Sequence, residues 1–395
     1  MSMKKLLVLI PLFLFGCGGE QADTDDGSPR GVTDDTIVIG SHNDLSGVLA
    51  IWGVPSSNAQ RMRFDEANAA GGIHGRKIEF IVEDTQYQMP LAVKATNKLL
   101  NVDDIFLMVG AMGTPLNIAL MPRMFEANVP SLFPLTGAVQ MYEPLHPMKF
   151  SYFVSYRDQI RGGMKYMVEK HGIEKVCLQA IANDYGEENV HGYEQAVEEL
   201  GLESVYLGRH KNTETDFVGT ITAIKNSGCE MLVLGPLVKD TILIYSAARD
   251  AGWDAPIISN MVSYVAEVAG AANGATEGLY SAASFYVPDF KAAEPGSWLA
   301  NWYEEYVSRF GEEPAPQSIV GYTSADLVVR ALEAAGRDVT VEKVLAALES
   351  IDSYEDRFGG PSMSFSATKH QGGDYLRFYQ VRDGRWMTVE ENIPY

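Results

Sequence analysis

Residues 36–82 read TIVIGSHNDLSGVLAIWGVPSSNAQRMRFDEANAAGGIHGRKIEFIV. The opening run Thr36-Ile37-Val38-Ile39-Gly40 is a strand by composition, β-branched residues closing on a glycine. A helical stretch from about Pro55 to Ala70 follows and stops at Gly71-Gly72, where glycine lets the chain turn out of a helix. Lys77 to Val82 is the next strand. Strand, helix, strand in this order makes a parallel βαβ unit.

The rhythm continues outward from that unit. A helix through Leu91 to Leu100, a strand at Ile105 to Val109, a helix at about Thr114 to Glu126 and a strand at Val129 to Phe133 complete a first block. It restarts near Ile173. Lys175 to Ala180, Ser204 to Leu207 and Glu230 to Leu234 read as strands, with helices at Gly186 to Leu200, Thr215 to Lys225 and Lys239 to Ala251. Phe217, Ile221 and Ile224 fall on one face of the second of these helices. Two α/β blocks therefore divide around Phe150 to Tyr156. Longer helices follow at Trp298 to Phe310, Ser318 to Ala335 and Val341 to Leu348, and a β-rich tail closes the chain at Tyr375 to Val381 and Arg385 to Val389.

The beginning of the chain is of another kind. Lys4 and Lys5 precede an apolar run from Leu6 to Phe15 that ends in Gly16-Cys17, which is the layout of a secretory signal. The run is too short to span a membrane. A small residue before a cysteine makes it a lipobox, so Cys17 is expected to become the lipidated first residue after removal of residues 1–16. An ordinary cleaved signal with an incidental cysteine is the alternative. Residues 17–30 read as a flexible stalk, since Gly18 to Pro29 holds four acids and no large apolar side chain.

Without the leader the chain carries 52 acidic against 29 basic residues, a net charge of −23. That balance argues against nucleic acid, which needs basic grooves, and against a body lying on anionic lipid. Of the three cysteines, Cys177 and Cys229 lie in apolar strand-like runs. They read as buried thiols that behave as small hydrophobes, although an oxidising compartment permits a bridge between them.

In parallel α/β sheets, ligands bind beyond the carboxyl ends of the strands. Those ends are small and polar here: Gly110-Ala111-Met112-Gly113-Thr114-Pro115, Pro134-Leu135-Thr136-Gly137 and Asn183-Asp184-Tyr185-Gly186. Gly113 and Thr114 would sit where a helix begins, so amides and a hydroxyl converge in a way that suits an anion. Each residue taken alone could equally be a helix cap.

Asp65-Glu66-Ala67-Asn68-Ala69-Ala70-Gly71-Gly72-Ile73-His74-Gly75-Arg76-Lys77, with Asp84 ending the next strand, resembles the most recognisable stretch of the periplasmic leucine/isoleucine/valine-binding family of ABC-transporter receptors. Val109 to Pro115, Val129 to Phe133, Asn183 to Gly186, Asp216-Phe217, Phe358 to Pro361 and His370 to Gly372 match further on, in order. The resemblance covers essentially the whole body. It implies a type I periplasmic binding-protein fold of two parallel-sheet α/β lobes joined by three hinge crossovers. Lobe 1 would hold 31–154 with 284–372, and lobe 2 would hold 155–283 with 373–395.

The resemblance also implies site residues. Trp52 matches an aromatic ligand lid in a loop after the first strand, a core plug being the alternative. Met112, Gly113 and Thr114 match the anion-binding loop, and Thr136 and Gly137 a second strand-end contact. Tyr185 matches a tyrosine of the second lobe, or else only decorates a turn. Tyr156 resembles a cleft residue of a subgroup, and Leu237 and Asn260 end later strands. One departure stands out. Amino-acid-binding members neutralise the ligand's α-ammonium with an acid from the second lobe, whereas Ile257-Ile258-Ser259-Asn260-Met261-Val262 holds none. Leu237 likewise stands where a larger polar aromatic belongs. Asn260 or Tyr264 could offer a neutral acceptor, so an amide, a keto acid or an aromatic acid stays open beside an amino acid.

The implied function is a lipid-anchored receptor of an ABC importer, in the periplasm or on the outer face of the cell membrane. It would be a monomer that captures a small ligand by hinge closure and delivers it to permease subunits. A sensor module that reports to a receptor or kinase would use the same cleft and is the alternative. An enzyme is not expected, because HExxH, GxSxG, P-loop and zinc-spaced CxxC patterns are all missing. Glu187 and His191 are spaced i,i+4, but two ligands are too few for a metal. Neither metal nor cofactor is expected.

Overall fold

The computed structural model describes residues 29–393 and 395; the leader, Cys17 and the stalk through residue 28 lie outside the described residues. The chain begins β1 (Thr36–Asn43), α1 (Ala50–Ala69), β2 (Lys77–Asp84), α2 (Met89–Asn101), β3 (Leu107–Val109), α3 (Thr114–Glu126), β4 (Ser131–Leu132) and β5 (Lys149–Phe150). These strands form one sheet in the order β2-β1-β3-β4-β5 with every pairing parallel. Ile37, Ile39 and Leu107 to Val109 fill its core.

The second half runs α4 (Tyr156–His171), β6 (Lys175–Ile181), α5 (Asp184–Leu200), β7 (Glu203–His210), α6 (Val218–Asn226), β8 (Met231–Gly235), α7 (Val238–Asp250), β9 (Ile257–Asn260), α8 (Ala266–Ala269) and β10 (Tyr280–Ala283). After α9 (Trp298–Phe310), α10 (Pro316–Ala335) and α11 (Val341–Glu349) the chain ends on the strands β11 (Leu376–Arg382) and β12 (Arg385–Ile393). The second sheet is ordered β12-β11-β10-β9-β8-β6-β7, parallel except for the edge pairings of β11 and β12. α10 returns to pack along α1, so closely that a Cβ at Gly321 would collide with the Ser56 backbone. The chain thus passes between the two halves three times: after β5, between β10 and α9, and before β11.

Local chemistry explains the helix ends. The Ser155 hydroxyl accepts the Asp158 N–H at 3.1 Å to start α4, and Asn183 accepts the Gly186 N–H at 3.0 Å to start α5. Both helices stop at a left-handed glycine, Gly172 and Gly201. α1 begins at Ala50, ahead of the Pro55 start read from the sequence. The Asp44 carboxylate takes the N–H groups of Gly47 and Leu49 at 2.5 and 2.8 Å and organises a turn before the proline.

Cys177 and Cys229 form a disulfide, with Cα atoms 5.9 Å apart, in place of the two free thiols expected. The cause is topological. β6 pairs directly with β8, with Cys177 opposite Leu232, which brings Cys229 beside its partner across 52 residues of sequence. Closing a loop of that length stabilises the fold by about 4 kcal/mol through the entropy it removes from the unfolded chain.

Candidate functional site

A partly enclosed space, about 370 Å³ with the open solvent at its mouth included, lies where the carboxyl ends of the two sheets meet. The loop after β1 forms its first wall. Asp84, at the end of β2, steadies that loop by accepting from Leu45 N–H (2.9 Å) and the Ser46 hydroxyl (2.5 Å). Partial burial works against ionisation, yet these bonds and the Gln86 N–H hold the Asp84 carboxyl below its usual range. A Cβ at Gly53 would collide with the Asp44 carbonyl, so only glycine lets α1 sit this close. Leu49 and Trp52 then face the space from the entry and first turn of α1, not from a loop.

The second wall is the start of α3. Gly113 is in a left-handed conformation (φ 98°), and the Tyr87 ring occupies the place a Cβ would take. The hydroxyls of Thr114 and Thr136 bond at 2.7 Å, and Thr136 also accepts the Ala138 N–H at 3.3 Å. Met112 and Leu135 are bridged across the two strand ends.

The second half adds Tyr156, Tyr185, Leu237 and Val262. Tyr156 donates its backbone N–H to Gly137 O at 2.7 Å, and its ring meets that of Tyr185 edge-on at 4.9 Å. The Tyr185 hydroxyl donates to Asn260 Oδ1 (3.1 Å), which also accepts from Val262 N–H (2.9 Å). Asn189 ties this network back to the Tyr185 carbonyl at 2.7 Å. Burial pushes the Tyr156 phenol up to about 12 and raises those of Tyr87 and Tyr185 further, so all three stay neutral.

The structure therefore brings Trp52, Met112, Gly113, Thr114, Tyr156, Tyr185 and Leu237 together around one space. Thr136, Gly137 and Asn260 stand one layer behind, holding Thr114, Tyr156 and Tyr185 in place. Leu49, Tyr87, Leu135 and Val262 line it too and were not read from the sequence. Tyr87 follows the carboxyl end of β2, so the strand-end argument already used for Thr114 would have found it.

Outside the cleft, Glu188 of α5 spans the two halves. Its carboxylate is nearly fully buried and accepts Val139 N–H (3.0 Å) and Gln140 Nε2 (2.9 Å) from the turn between β4 and β5, besides a two-point contact from Arg157 (3.1 and 2.7 Å). Glu187 pairs with Arg209 at 2.6 Å, and His191 Nδ1 contacts the Glu187 backbone carbonyl, so both are held in a helix face. Among the described residues no group of three or more His, Cys, Asp or Glu could hold a metal, and no helix is long and apolar enough to cross a membrane.

The family model described as "Periplasmic binding protein" matches residues 36–385. A Leu/Ile/Val-binding protein homolog of Brucella abortus is 24% identical, over 87% of this chain and 93% of that protein. The fatty acid ABC transporter substrate-binding protein of Thermomonospora curvata superposes with a TM-score of 0.81 at 24% identity, covering 94% of this chain and 96% of that one. A branched-chain amino acid ABC transporter structure from Thermus thermophilus with bound valine gives 0.82 at 20% identity, over 92% and 97%. The two sheets and their three connections are those of the type I fold that the resemblance implied. Its members are substrate-binding proteins rather than enzymes, and the chain belongs to this periplasmic binding protein family.

Proposed function

We propose that the chain is the lipid-anchored substrate-binding component of an ABC importer. It captures a branched-chain amino acid or a related small carboxylate or amide between lobe 1 (31–154 and 284–372) and lobe 2 (155–283 and 373–395). One observation carries the reading. Trp52 and Thr114 from one sheet and Tyr185 from the other, far apart in sequence, surround one partly enclosed space lined by apolar and aromatic groups. Such a space removes most of a small ligand from water, and a ligand that touches both lobes favours the closed arrangement by its differential contacts. The names of the relatives and of the superposed structures, which concern branched-chain amino acids and a fatty acid, are consistent with this class.

Calorimetric titration with leucine, isoleucine, valine, their keto acids and small aromatic acids tests the reading. At least one should bind, and Trp52→Ala should weaken that binding. A lack of binding across the panel would refute it. The anchor rests on Lys4-Lys5, the apolar run and Gly16-Cys17. Intact-mass analysis of membrane-extracted protein should show acylated Cys17 and loss of residues 1–16.

A further inference from the structure

The Trp52 indole and the start of α3 bring hydrogen-bond donors to the cleft, beside the hydroxyls of Thr114, Tyr156 and Tyr185. Trp52 is 5% exposed, lines the space, and has an Nε1–H with no partner among the described residues. α3 opens at the cleft with Gly113 and Thr114, and the first amides of a helix have no acceptor within it. Both features offer hydrogen-bond donors, and a helix start adds a partial positive charge.

The acceptors are already engaged. Asn260 Oδ1 receives the Tyr185 hydroxyl and the Val262 N–H, and its amide nitrogen donates to Asn189 at 2.5 Å. Tyr264, the other neutral acceptor considered from the sequence, stacks on Tyr379 at 4.1 Å, away from the lining. Of the acids near the lining, Asp184 is exposed at the start of α5 and the others are already bound. Asp44 holds the N–H groups of Gly47 and Leu49, and Glu188 holds Arg157, Val139 and Gln140. The lining itself contains no carboxylate. An α-ammonium closed into this space would lose its water and gain no counter-charge, which is strongly unfavourable. A carboxylate would meet donors.

We propose that the preferred ligand is a monocarboxylate with a branched aliphatic or aromatic tail and no α-ammonium, as in a branched 2-oxo acid or an aryl-substituted one. The aromatic and aliphatic side chains of Tyr87, Tyr156, Leu237 and Val262 would cover the tail. This inference rests on the capture reading above and narrows it.

Matched pairs test it. The protein is titrated with 4-methyl-2-oxopentanoate against leucine and with phenylpyruvate against phenylalanine, in the parent and in Trp52→Ala. The acid of at least one pair should bind about 100-fold or more tightly than its amino counterpart, the scale of an unpaired buried charge, and Trp52→Ala should weaken it. Equal or tighter binding of the amino acids, still sensitive to Trp52→Ala, would overturn this inference and leave the capture reading standing. Binding of none of the four, or binding indifferent to Trp52→Ala, would overturn both.

Discussion

In the proposed capture by closure, Glu188 is a contact that can be weakened without touching the ligand. Its carboxylate sits on the second-sheet side and accepts two hydrogen bonds, from Val139 N–H and the Gln140 amide, that come from the first-sheet side. When the halves separate, those donors return to water, so only the net gain of a charge-assisted bond is lost. Hydrogen bonds to charged groups contribute about 1.5–3 kcal/mol each. Arg157 remains on the same side as Glu188 in either arrangement and cancels from the comparison. Discounting for the carboxylate's division among three partners leaves about 2 kcal/mol for the pair, or roughly 30-fold in the balance between closed and open states. Glu188→Ala should therefore weaken the tightest ligand of the panel by up to that factor, less to the extent that the ligand-free parent is already closed, and Glu188→Gln, which keeps one acceptor oxygen, by less again. Small-angle scattering of the ligand-free protein should show a larger radius of gyration for Glu188→Ala than for the parent. Unchanged affinity together with an unchanged radius would refute the reasoning.

Three further outcomes are expected. Trp52→Ala should weaken ligand binding by about 1–3 kcal/mol; because the indole also belongs to the main core, ligand-free stability should fall by about 3 kcal/mol, read from denaturant midpoints. His42 is fully buried, its ring nitrogens have no partners among the described residues, and burial depresses it to about 4 from an ordinary 6.5. The unfolded chain takes up that proton first, so the stability held by neutral His42 is intact above pH 6.5 and is lost as pH falls toward 4, about 3 kcal/mol in all. His42→Gln should flatten that part of the pH dependence, and an unaltered slope would disprove the assignment. Replacing both Cys177 and Cys229 with serine should lower stability by about 4 kcal/mol, and reductant should then affect the parent but not the variant; equal sensitivity would count against the bridge.

Much of the fold was legible because its signals are local. α3 at Thr114–Glu126 and α9 at Trp298–Phe310 have the bounds read from the sequence, the first opened by Gly113 and Pro115 and the second closed by Gly311. Phe217, Ile221 and Ile224 are buried as the helical period suggested, although α6 begins at Val218, three residues after the Thr215 start read from the sequence, and leaves Phe217 just ahead of the helix. α1 was read short because Pro55 looks like a helix start, whereas Asp44, which organises the turn ahead of Ala50, acts through bonds that composition does not display. Val262 and Leu135 escaped notice because an apolar residue at a strand end has no mark separating a cleft wall from a core.

By itself, the sequence determined the alternation of strands and helices, the parallel character of the sheets, the two blocks and the strand ends where a ligand would sit. Each of these follows from periodicity and turn chemistry within a few residues. Tertiary structure alone decided that β6 lies beside β8, which joins Cys177 to Cys229, and that Glu188 reaches Val139 and Gln140. It also decided that Asn260 turns its oxygen to Tyr185 and Val262 instead of to the cleft. Those contacts join residues distant along the chain, and their partners are set by how the strands are ordered and how the halves meet, which no local pattern encodes.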